Sequence, residues 1–409
     1  MVFKLLLTFL CISLKSIYSQ EESENLEWYM KNLINSTYDH RIRPYTLDSR
    51  GKRKPIEVTA NIYLRQIPEI STKEMKIKAQ ITFRQEWIDP RLAYKSISNS
   101  RKYPSALHLT KRENENLVWL PDTFFQNSLD ESRHNVQVPN VLIRVDPDGR
   151  VLYSERIGLT LSCPMILTRY PFDRQVCHLD FASYSFTEKD IIYKWKKDHP
   201  VQIKAGLTEN IPNFLLEPVE TENCRSSTNS GTYSCLRVKI PLKRISCSEL
   251  LQLYIPSTML VICSWAAFFF NKRFLSAKTT IVMLVLVSMI LLSSFENQRA
   301  PATAYNKSID CWIGVCFLFV FMALVEVAAV AFFEQTKCCE QGNRGNEITQ
   351  KNEYEALVPS QVESNRHFDL RQKWKNDPAD AIDFFSRIVF PSAFFLYIIV
   401  YAICVIARK

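Results

Sequence analysis

The pattern of hydrophobic and polar positions changes near residue 245. Before this point, short segments alternate with a period of two residues, as in a strand that buries one face. In Val151–Leu161, most of the apolar side chains fall on one face. The pattern predicts strands over Ile56–Gln66, Lys76–Glu86, Val141–Val145, Val151–Leu161, Val176–Ala182 and Tyr233–Lys243. Many short strands separated by turn residues indicate an antiparallel β-sandwich.

One segment of the sequence predicts a tight turn. DPDG at Asp146–Gly149 lies between two predicted strands. Glycine readily takes the positive φ that a tight hairpin requires. We therefore expect a β-hairpin at this point.

Beyond residue 245 the pattern changes to long apolar runs. Each run approaches the length of about 20 residues that a helix needs to cross the hydrocarbon core of a membrane. The runs are Leu250–Phe270, Leu275–Phe295, Ile309–Phe333 and Arg387–Ile406. The predicted fold is therefore an extracellular antiparallel β-sandwich followed by a four-helix transmembrane bundle.

Charge sets the expected topology. Lys272, Arg273 and Lys278 follow the first run, and further basic residues lie between the third and fourth runs. Basic loops remain on the cytoplasmic side, so both termini are expected outside the cell.

The net charge of +9 is spread along the chain and accompanies no nucleic-acid-binding motif. No nucleic-acid partner is expected.

The first residues, MVFKLLLTFLCISLKSIYSQ, have the lysine, apolar core and small residues of a secretory signal peptide. Asn35 lies in an Asn-Ser-Thr sequon and is a predicted glycosylation site. The predicted divisions are a signal peptide at 1–19, an extracellular domain at 20–246, three membrane helices at 247–335, a cytoplasmic loop at 336–385, and the fourth helix with the C-terminus at 386–409.

Four of the 12 cysteines lie in the predicted extracellular domain. Four cysteines allow three pairings, of which Cys163–Cys177 with Cys224–Cys235 is the most economical. The sequence has no C-x-x-C pair and no pattern of a nucleophile with its base. We therefore expect no metal site, no cofactor, no catalytic residue and no enzymatic activity.

The segment CPMILTRYPFDRQVC, from Cys163 to Cys177, carries the most specific motif. With WLPD at Trp119–Asp122, the W-x-D of Trp87–Asp89 and LLQLYIPS at Leu250–Ser257, it resembles the Cys-loop receptors, which are pentameric ligand-gated ion channels. The chain is most similar to the invertebrate glutamate-gated chloride channels. The points of similarity are a second cysteine pair in Asn223–Arg237 and the segments PDTFF, VLIR, VLYS and FASYSFT.

This resemblance implies an agonist site between adjacent subunits. The implied contacts on one face are Arg65, Arg84 and Ser154, with Lys204 adding positive potential; on the other face they are Ser183, Tyr184, Ser230 and Tyr233. The chemistry suits glutamate, because arginine binds carboxylates in a bidentate manner. Tyrosine rings in turn attract an ammonium group.

The resemblance also implies that the second membrane helix lines the pore. Thr280, Leu284, Val287, Leu291 and Ser294 recur on one helical face. At the inner mouth, Ser276-Ala277-Lys278 replaces the Pro-Ala-Arg of anion-selective relatives. A lysine ring without a glutamate at Ala277 favours chloride, and successive apolar rings form a gate that closes by excluding water.

The sequence is compatible with three functions. The first is a glutamate-gated chloride channel that assembles alone. The second is a ligand-binding subunit that conducts only beside related subunits, and the third is a non-conducting membrane receptor. A channel of the same family gated by another small ligand also fits. The expected location is the plasma membrane, with several spans and at a postsynaptic site.

Overall fold

The computed structural model describes residues 28, 29, 33, 38–47, 51–95, 103–110, 117–135, 138–209, 211–271, 274–299, 301, 303–348 and 378–407. The predicted signal peptide and Asn35 lie outside these residues. The chain forms two compact units. The first comprises Met1–Met165 and Arg174–Lys243, and the second comprises Ile166–Asp173 and Arg244–Lys409.

The first unit is built from β-strands. They are β1 Thr46–Leu47, β2 Arg53–Lys54, β3 Ile56–Ser71, β4 Lys76–Ile88, β5 Leu107–Leu109, β6 Thr123–Phe125, β7 Ser128–Arg133, β8 Val141–Val145, β9 Arg150–Ser162, β10 Arg174–Ser183, β11 Ile191–Trp195, β12 Val201–Ile203, β13 Phe214–Leu216, β14 Glu220–Thr228 and β15 Gly231–Arg244. All six predicted strands are confirmed, and Val141–Val145 has the predicted bounds.

The larger sheet has the strand order β11-β3-β4-β9-β8-β5, with β12 also paired to β3 and β7 to β9. The smaller sheet has the order β13-β15-β10-β6, with β14 paired to β15. Phe83 of the larger sheet contacts Phe125 and Phe181 of the smaller one, at ring-centroid distances of 5.4 and 5.0 Å. The predicted sandwich is thus confirmed.

One edge of the larger sheet departs from the expected antiparallel pairing. Strands β11 and β12 run parallel to β3. The chain reaches β11 from β10, which belongs to the other sheet. Parallel strands need such a crossover, because a tight hairpin can join only antiparallel strands.

The hairpin predicted from DPDG joins β8 to β9. Gly149 has a φ of +83°, and a Cβ at this position would lie 2.5 Å from the carbonyl oxygen of Asp89. The turn therefore requires glycine both for its backbone conformation and for its close approach to Asp89.

Both predicted disulfides are present. Cys163–Cys177 has a Cα–Cα distance of 5.0 Å, and Cys224–Cys235 has one of 4.8 Å. The second bond joins two residues that face each other across β14 and β15. Closing loops of this size stabilises a fold by about 3 kcal/mol in the chain-entropy account.

The second unit contains four helices that are long and apolar enough to cross a membrane. They are α1 Cys247–Phe269, α2 Leu275–Arg299, α3 Ser308–Ile348 and α4 Pro378–Ala407. Helix α3 continues past the predicted span, and α4 begins before it. Helical structure thus occupies both ends of the segment 336–385, which the sequence predicted as a loop.

A buried ion pair organises one end of this unit. Arg244 Nε donates to Asp173 Oδ1 at 2.7 Å, and the two side chains are only 5% and 2% exposed. The guanidinium also lies 4.8 Å from the ring centroid of Tyr170. Nearby, Ser246 Oγ donates to the carbonyl oxygen of Pro171 at 2.6 Å, and the peptide bond before this proline is cis. The segment Ile166–Asp173 is therefore fixed to the residues that precede α1.

Replacing Asp173 with asparagine should destabilise the protein strongly. The change removes a carboxylate that pairs with the buried Arg244 guanidinium, and losing one member of a buried ion pair typically costs about 3–5 kcal/mol. We expect a lower thermal midpoint of the detergent-solubilised protein and fewer molecules at the cell surface. The control is Asp148→Asn, in an exposed turn, which should behave like the wild type. An unchanged midpoint for Asp173→Asn would contradict the assignment.

Candidate functional site

Strands β3, β4 and β9 bring three of the predicted ligand residues together. Tyr63 and Arg65 lie two residues apart on β3, so their side chains share one face of the sheet. Arg84 of β4 stands directly opposite Ser154 of β9. The Arg65 and Arg84 guanidinium carbons lie 5.3 and 6.0 Å from the ring centroid of Tyr63. We call this set (Tyr63, Arg65, Arg84 and Ser154) the arginine face.

The two arginines of this face have neutral partners. Arg65 Nε donates to Thr82 Oγ1 at 2.5 Å. Arg84 Nη1 donates to Asn61 Oδ1 at 2.9 Å and to Gln202 Oε1 at 3.2 Å. Neither arginine forms an ion pair within the part of the chain that the structure describes. Both positive charges are therefore held in place without a countercharge, an arrangement suited to a ligand with two carboxylates.

Further basic residues surround the two arginines. Lys204 is exposed and lines a cavity of about 330 Å³ together with Arg65. Arg84 lines a second cavity, of about 440 Å³, with Arg150 and Lys196. The carboxylate of Glu86 in this cavity pairs with Arg150 at 3.1 Å. Arg144, which also lines it, pairs with Asp146 at 3.2 Å. Among the described residues, the cations of this cavity that form no ion pair are therefore Arg84 and Lys196.

Three other predicted residues form a separate, aromatic surface. Tyr184 is 76% exposed and packs edge-on against Phe124, at 5.4 Å between ring centroids. Near the turn between β14 and β15, Ser230 Oγ and Tyr233 OH are hydrogen-bonded at 3.0 Å. The amide of Glu188 donates to the carbonyl of Thr232 at 2.9 Å, which fixes the loop after β10 to the hairpin. We call Tyr184, Ser230 and Tyr233 the tyrosine face.

Ser183 requires a correction. Its side chain is 2% exposed, and its hydroxyl donates to Asp122 Oδ1 at 2.5 Å. Asp122 Oδ2 also accepts from the amide and the hydroxyl of Ser185, at 2.7 and 2.5 Å. Ser183 therefore anchors the loop that presents Tyr184, and its hydroxyl does not belong to the tyrosine face.

Helix α2 has two distinct faces. The predicted pore-lining residues are exposed in the single chain, with Leu284 at 67% and Leu291 at 56%. Ser276 is also exposed, and Ala277 is half-buried. We call the exposed stripe of α2, for its predicted role, the pore stripe; it comprises Ser276, Thr280, Leu284, Val287, Leu291 and Ser294. The buried side comprises Lys278, Val282, Val285, Met289 and Glu296.

Comparison with known proteins decides the family. Residues 27–246 match the family described as the neurotransmitter-gated ion-channel ligand binding domain. Residues 253–343 match the neurotransmitter-gated ion-channel transmembrane region. The chain belongs to the neurotransmitter-gated ion-channel family. It is a subunit of a ligand-gated ion channel and not an enzyme, and it is a multi-pass membrane protein with four spans.

Two named proteins have sequences similar to this chain. The glutamate-gated chloride channel of Drosophila melanogaster is 43% identical over 295 residues, which are 72% of this chain and 62% of the relative. The glutamate-gated chloride channel subunit beta of Haemonchus contortus is 38% identical over 333 residues, which are 81% of this chain and 75% of the relative. The chain thus spans less than two thirds of the Drosophila relative's length.

The prediction that Lys278 forms a charged ring at the inner mouth requires a correction. Its side chain is 0% exposed, and Nζ donates to both carboxylate oxygens of Asp383 in α4 at 2.8 and 2.7 Å. An ammonium group enclosed in this way is not available to a permeating ion. Lys278 instead joins α2 to α4.

The sequence did not reveal several residues that build the site. Tyr63 and Thr82 lie two positions from Arg65 and Arg84, so strand alternation could have placed them on the arginine face. No such local signal connects Lys278 with Asp383, which is 105 residues away. Among the described residues, no group of three or more His, Cys, Asp or Glu side chains could hold a metal ion.

Exchanging the two buried charges tests the role of Lys278. Lys278→Met and Asp383→Asn each remove one member of a buried ion pair, which typically costs about 3–5 kcal/mol, so each should lower surface expression and thermal stability. The double variant Lys278→Asp/Asp383→Lys restores the pairing and should recover most of this loss.

The control is Asp310→Asn, which removes a partly exposed partner of Lys307 at 3.8 Å and should have little effect. The reversal potential of the exchanged variant should equal that of the wild type. An inverted or abolished ion selectivity would show instead that residue 278 faces the permeating ion.

Proposed function

We propose that this chain is a subunit of a glutamate-gated chloride channel. The observation that carries the proposal is the arginine face, where two guanidinium groups about one tyrosine ring have only neutral hydrogen-bond partners. Glutamate carries two carboxylates that match these groups. The names of the two relatives, both glutamate-gated chloride channels, point to the same ligand.

The agonist lies between two subunits of a pentamer in this proposal. Arg65, Arg84 and Ser154 of one copy hold the carboxylates, and Lys204 contributes positive potential. Tyr184 and Tyr233 of the next copy face the ammonium group, and Ser230 offers a hydroxyl. Because a single chain carries both surfaces, identical or related subunits can form a closed ring of equivalent sites.

Movement of the tyrosine face then leads to opening of the pore. Glutamate binds the open state better than the closed one, and this difference shifts the equilibrium toward opening. In this proposal the subunit lies in the plasma membrane of a postsynaptic cell, with both termini outside and the segment 336–385 on the cytoplasmic side. The basic residues near the spans support this topology.

Chloride selectivity has a different basis from the one expected from Lys278. The pore stripe of α2 contains no acidic residue, and Glu296, the single acidic residue of α2, is buried. Hydroxyl groups of Thr280 and Ser294 donate to carbonyl oxygens of their own helix at 2.8 and 2.9 Å. A pore stripe without acidic side chains lacks the negative rings of cation channels and does not repel anions. The relatives' names support chloride.

A second candidate function follows from the middle of the pore stripe. Leu284, Val287 and Leu291 are 67%, 49% and 56% exposed in the single chain. If α2 lines the pore as proposed, they would form three successive apolar rings. Such rings hold a pore closed by excluding water. The subunit would then conduct only beside related subunits with a more polar α2. Currents that occur only on co-expression would favour this candidate.

Removing either arginine should weaken the response to glutamate. Hydrogen bonds to a charged group contribute about 1.5–3 kcal/mol, which corresponds to roughly 10- to 100-fold in apparent affinity. We expect the glutamate concentration for half-maximal current to rise by this factor in Arg65→Ala and in Arg84→Ala. The measurement is a concentration–response curve by voltage clamp.

The matched control is Arg174→Ala. Arg174 is an arginine of the smaller sheet, 64% exposed, and its partner is Glu217 at 3.5 Å. Its sensitivity to glutamate should equal that of the wild type. If both Arg65→Ala and Arg84→Ala respond as the wild type does, the proposed site is wrong.

The reversal potential tests the permeant ion. When external chloride is replaced by an impermeant anion, the reversal potential of the glutamate-evoked current should follow the chloride gradient, by about 59 mV for each tenfold change. Replacing external sodium should leave it unchanged. A reversal potential that follows sodium would refute chloride conduction.

A further inference from the structure

The cavity of about 440 Å³ beside Arg84 contains a cation that glutamate does not match. Among the described residues, four basic side chains and one acidic side chain line this cavity. Two of the basic side chains, Arg144 and Arg150, pair with carboxylates at N–O distances of 3.2 and 3.1 Å. The other two are Arg84 and Lys196. A glutamate carboxylate on Arg84 would therefore leave Lys196 without a countercharge.

The backbone of Lys196 is held beside β3. Its amide donates to the carbonyl oxygen of Ala60 at 3.0 Å, directly after β11 ends. Asn61, the next residue of β3, donates through Nδ2 to the carbonyl oxygen of Pro200 at 3.1 Å. The same asparagine accepts from Arg84 Nη1 at 2.9 Å through Oδ1. One buried side chain thus joins the segment that carries Lys196 to the guanidinium of Arg84.

The wall of this cavity is polar. Among the described residues that line it, only Leu152 is apolar, which disfavours a hydrocarbon group as the ligand. Thr59 of β3 contributes a hydroxyl group. Gln202 Oε1 accepts from Arg84 Nη1 at 3.2 Å, so its NH₂ group can donate to a carbonyl oxygen of a ligand. The lining therefore suits a ligand that is polar along its length and anionic at its end.

The arginine face has a cavity of ligand size at each of its two arginines. The cavity of about 330 Å³ includes Arg65 and Lys204, and the one of about 440 Å³ includes Arg84 and Lys196. Sites for small molecules typically occupy about 300–1,000 Å³. The two carboxylates of glutamate match Arg65 and Arg84. A ligand that also reaches Lys196 must be longer than glutamate and must carry a third anionic group.

We propose that the cavity beside Arg84 binds the second residue of an acidic dipeptide whose first residue is glutamate, such as glutamyl-glutamate. This arrangement rests on the proposed function, because the first residue takes the place of glutamate. Its ammonium group faces Tyr184 and Tyr233, and its side-chain carboxylate is on Arg65. The C-terminal carboxylate reaches Arg84, and the side-chain carboxylate of the second residue reaches Lys196. Three carboxylates thus match three cations.

Competition with glutamate measures binding of the dipeptide. The full-length receptor in membranes is equilibrated with tritiated glutamate, and unlabelled glutamyl-glutamate or glutamyl-glutamine is added. The two dipeptides have nearly the same size and differ in one group, a carboxylate that is replaced by an amide. We expect glutamyl-glutamate to bind about fivefold more tightly, which is the contribution of one exposed ion pair.

Variants of Lys196 test whether this preference arises in the cavity. In Lys196→Gln the two dipeptides should bind equally, because the cation that distinguishes them is gone, whereas Lys196→Arg should keep the preference. The matched control is Lys194→Gln. Lys194 of β11 pairs with Glu57 at 2.9 Å and lies outside the cavity lining, so its loss should leave the preference unchanged. Because two ligands are compared on one variant, a general change in the agonist site cancels.

Three results would overturn the dipeptide proposal while glutamate still binds. In the first, glutamyl-glutamate does not displace glutamate, as expected if the neighbouring subunit fills the cavity. In the second, the wild type binds both dipeptides equally, which would show that no cation recognises the third carboxylate. In the third, the preference persists in Lys196→Gln, which would assign it to another cation. If tritiated glutamate itself does not bind, the proposed function is wrong, and the dipeptide proposal is refuted with it.

Discussion

The ion pair between Asp173 and Arg244 is the contact on which the organisation of the second unit depends. Two charges almost completely removed from water are tolerated only when they neutralise each other with good geometry. This requirement fixes the position of Ile166–Asp173 relative to the residue that precedes α1. The Cys163–Cys177 disulfide limits the conformations of the same loop, so a covalent and an electrostatic constraint act on one short segment.

That fixed segment also reaches α3. Thr168 accepts two hydrogen bonds from Ser308, and Leu167 donates to Tyr305, within the link between α2 and α3. The motif Cys163–Cys177 therefore connects structural elements of the membrane unit. Its aspartate and proline contact the residues that precede α1, and its Leu167 and Thr168 contact Tyr305 and the first residue of α3. Any rearrangement of this segment must involve both helices.

Local patterns predicted most of the fold. The strands followed from two-residue alternation, as in Val151–Leu161, and the spans followed from the length of the apolar runs. The cysteine pairs followed from their close spacing. The parallel pairing of β11 with β3 could not be predicted in this way, because it depends on the chain crossing from one sheet to the other. Such a path leaves no periodic signal.

The site residues were assigned from the resemblance to the receptor family, and the structure brings only some of them together. Arg65, Arg84 and Ser154 do share one face, because strand register places them there. Ser183 and Lys278 were assigned to exposed positions from their motifs, yet each faces inward toward a distant aspartate, Asp122 or Asp383. A motif identifies the residue at a position but does not determine which way its side chain points. That depends on tertiary partners.

The pair formed by Lys278 and Asp383 has a consequence for biosynthesis. Its two residues are 105 positions apart, so α2 enters the membrane well before the ribosome has made α4. Lys278 is the fourth residue of α2, so until then its ammonium group can extend to the water at the membrane boundary. Arrival of α4 brings Asp383 and allows this lysine to be buried. A nascent chain interrupted before Asp383 would leave the lysine exposed at the membrane boundary, a difference by which membrane quality control can distinguish unfinished subunits from complete ones.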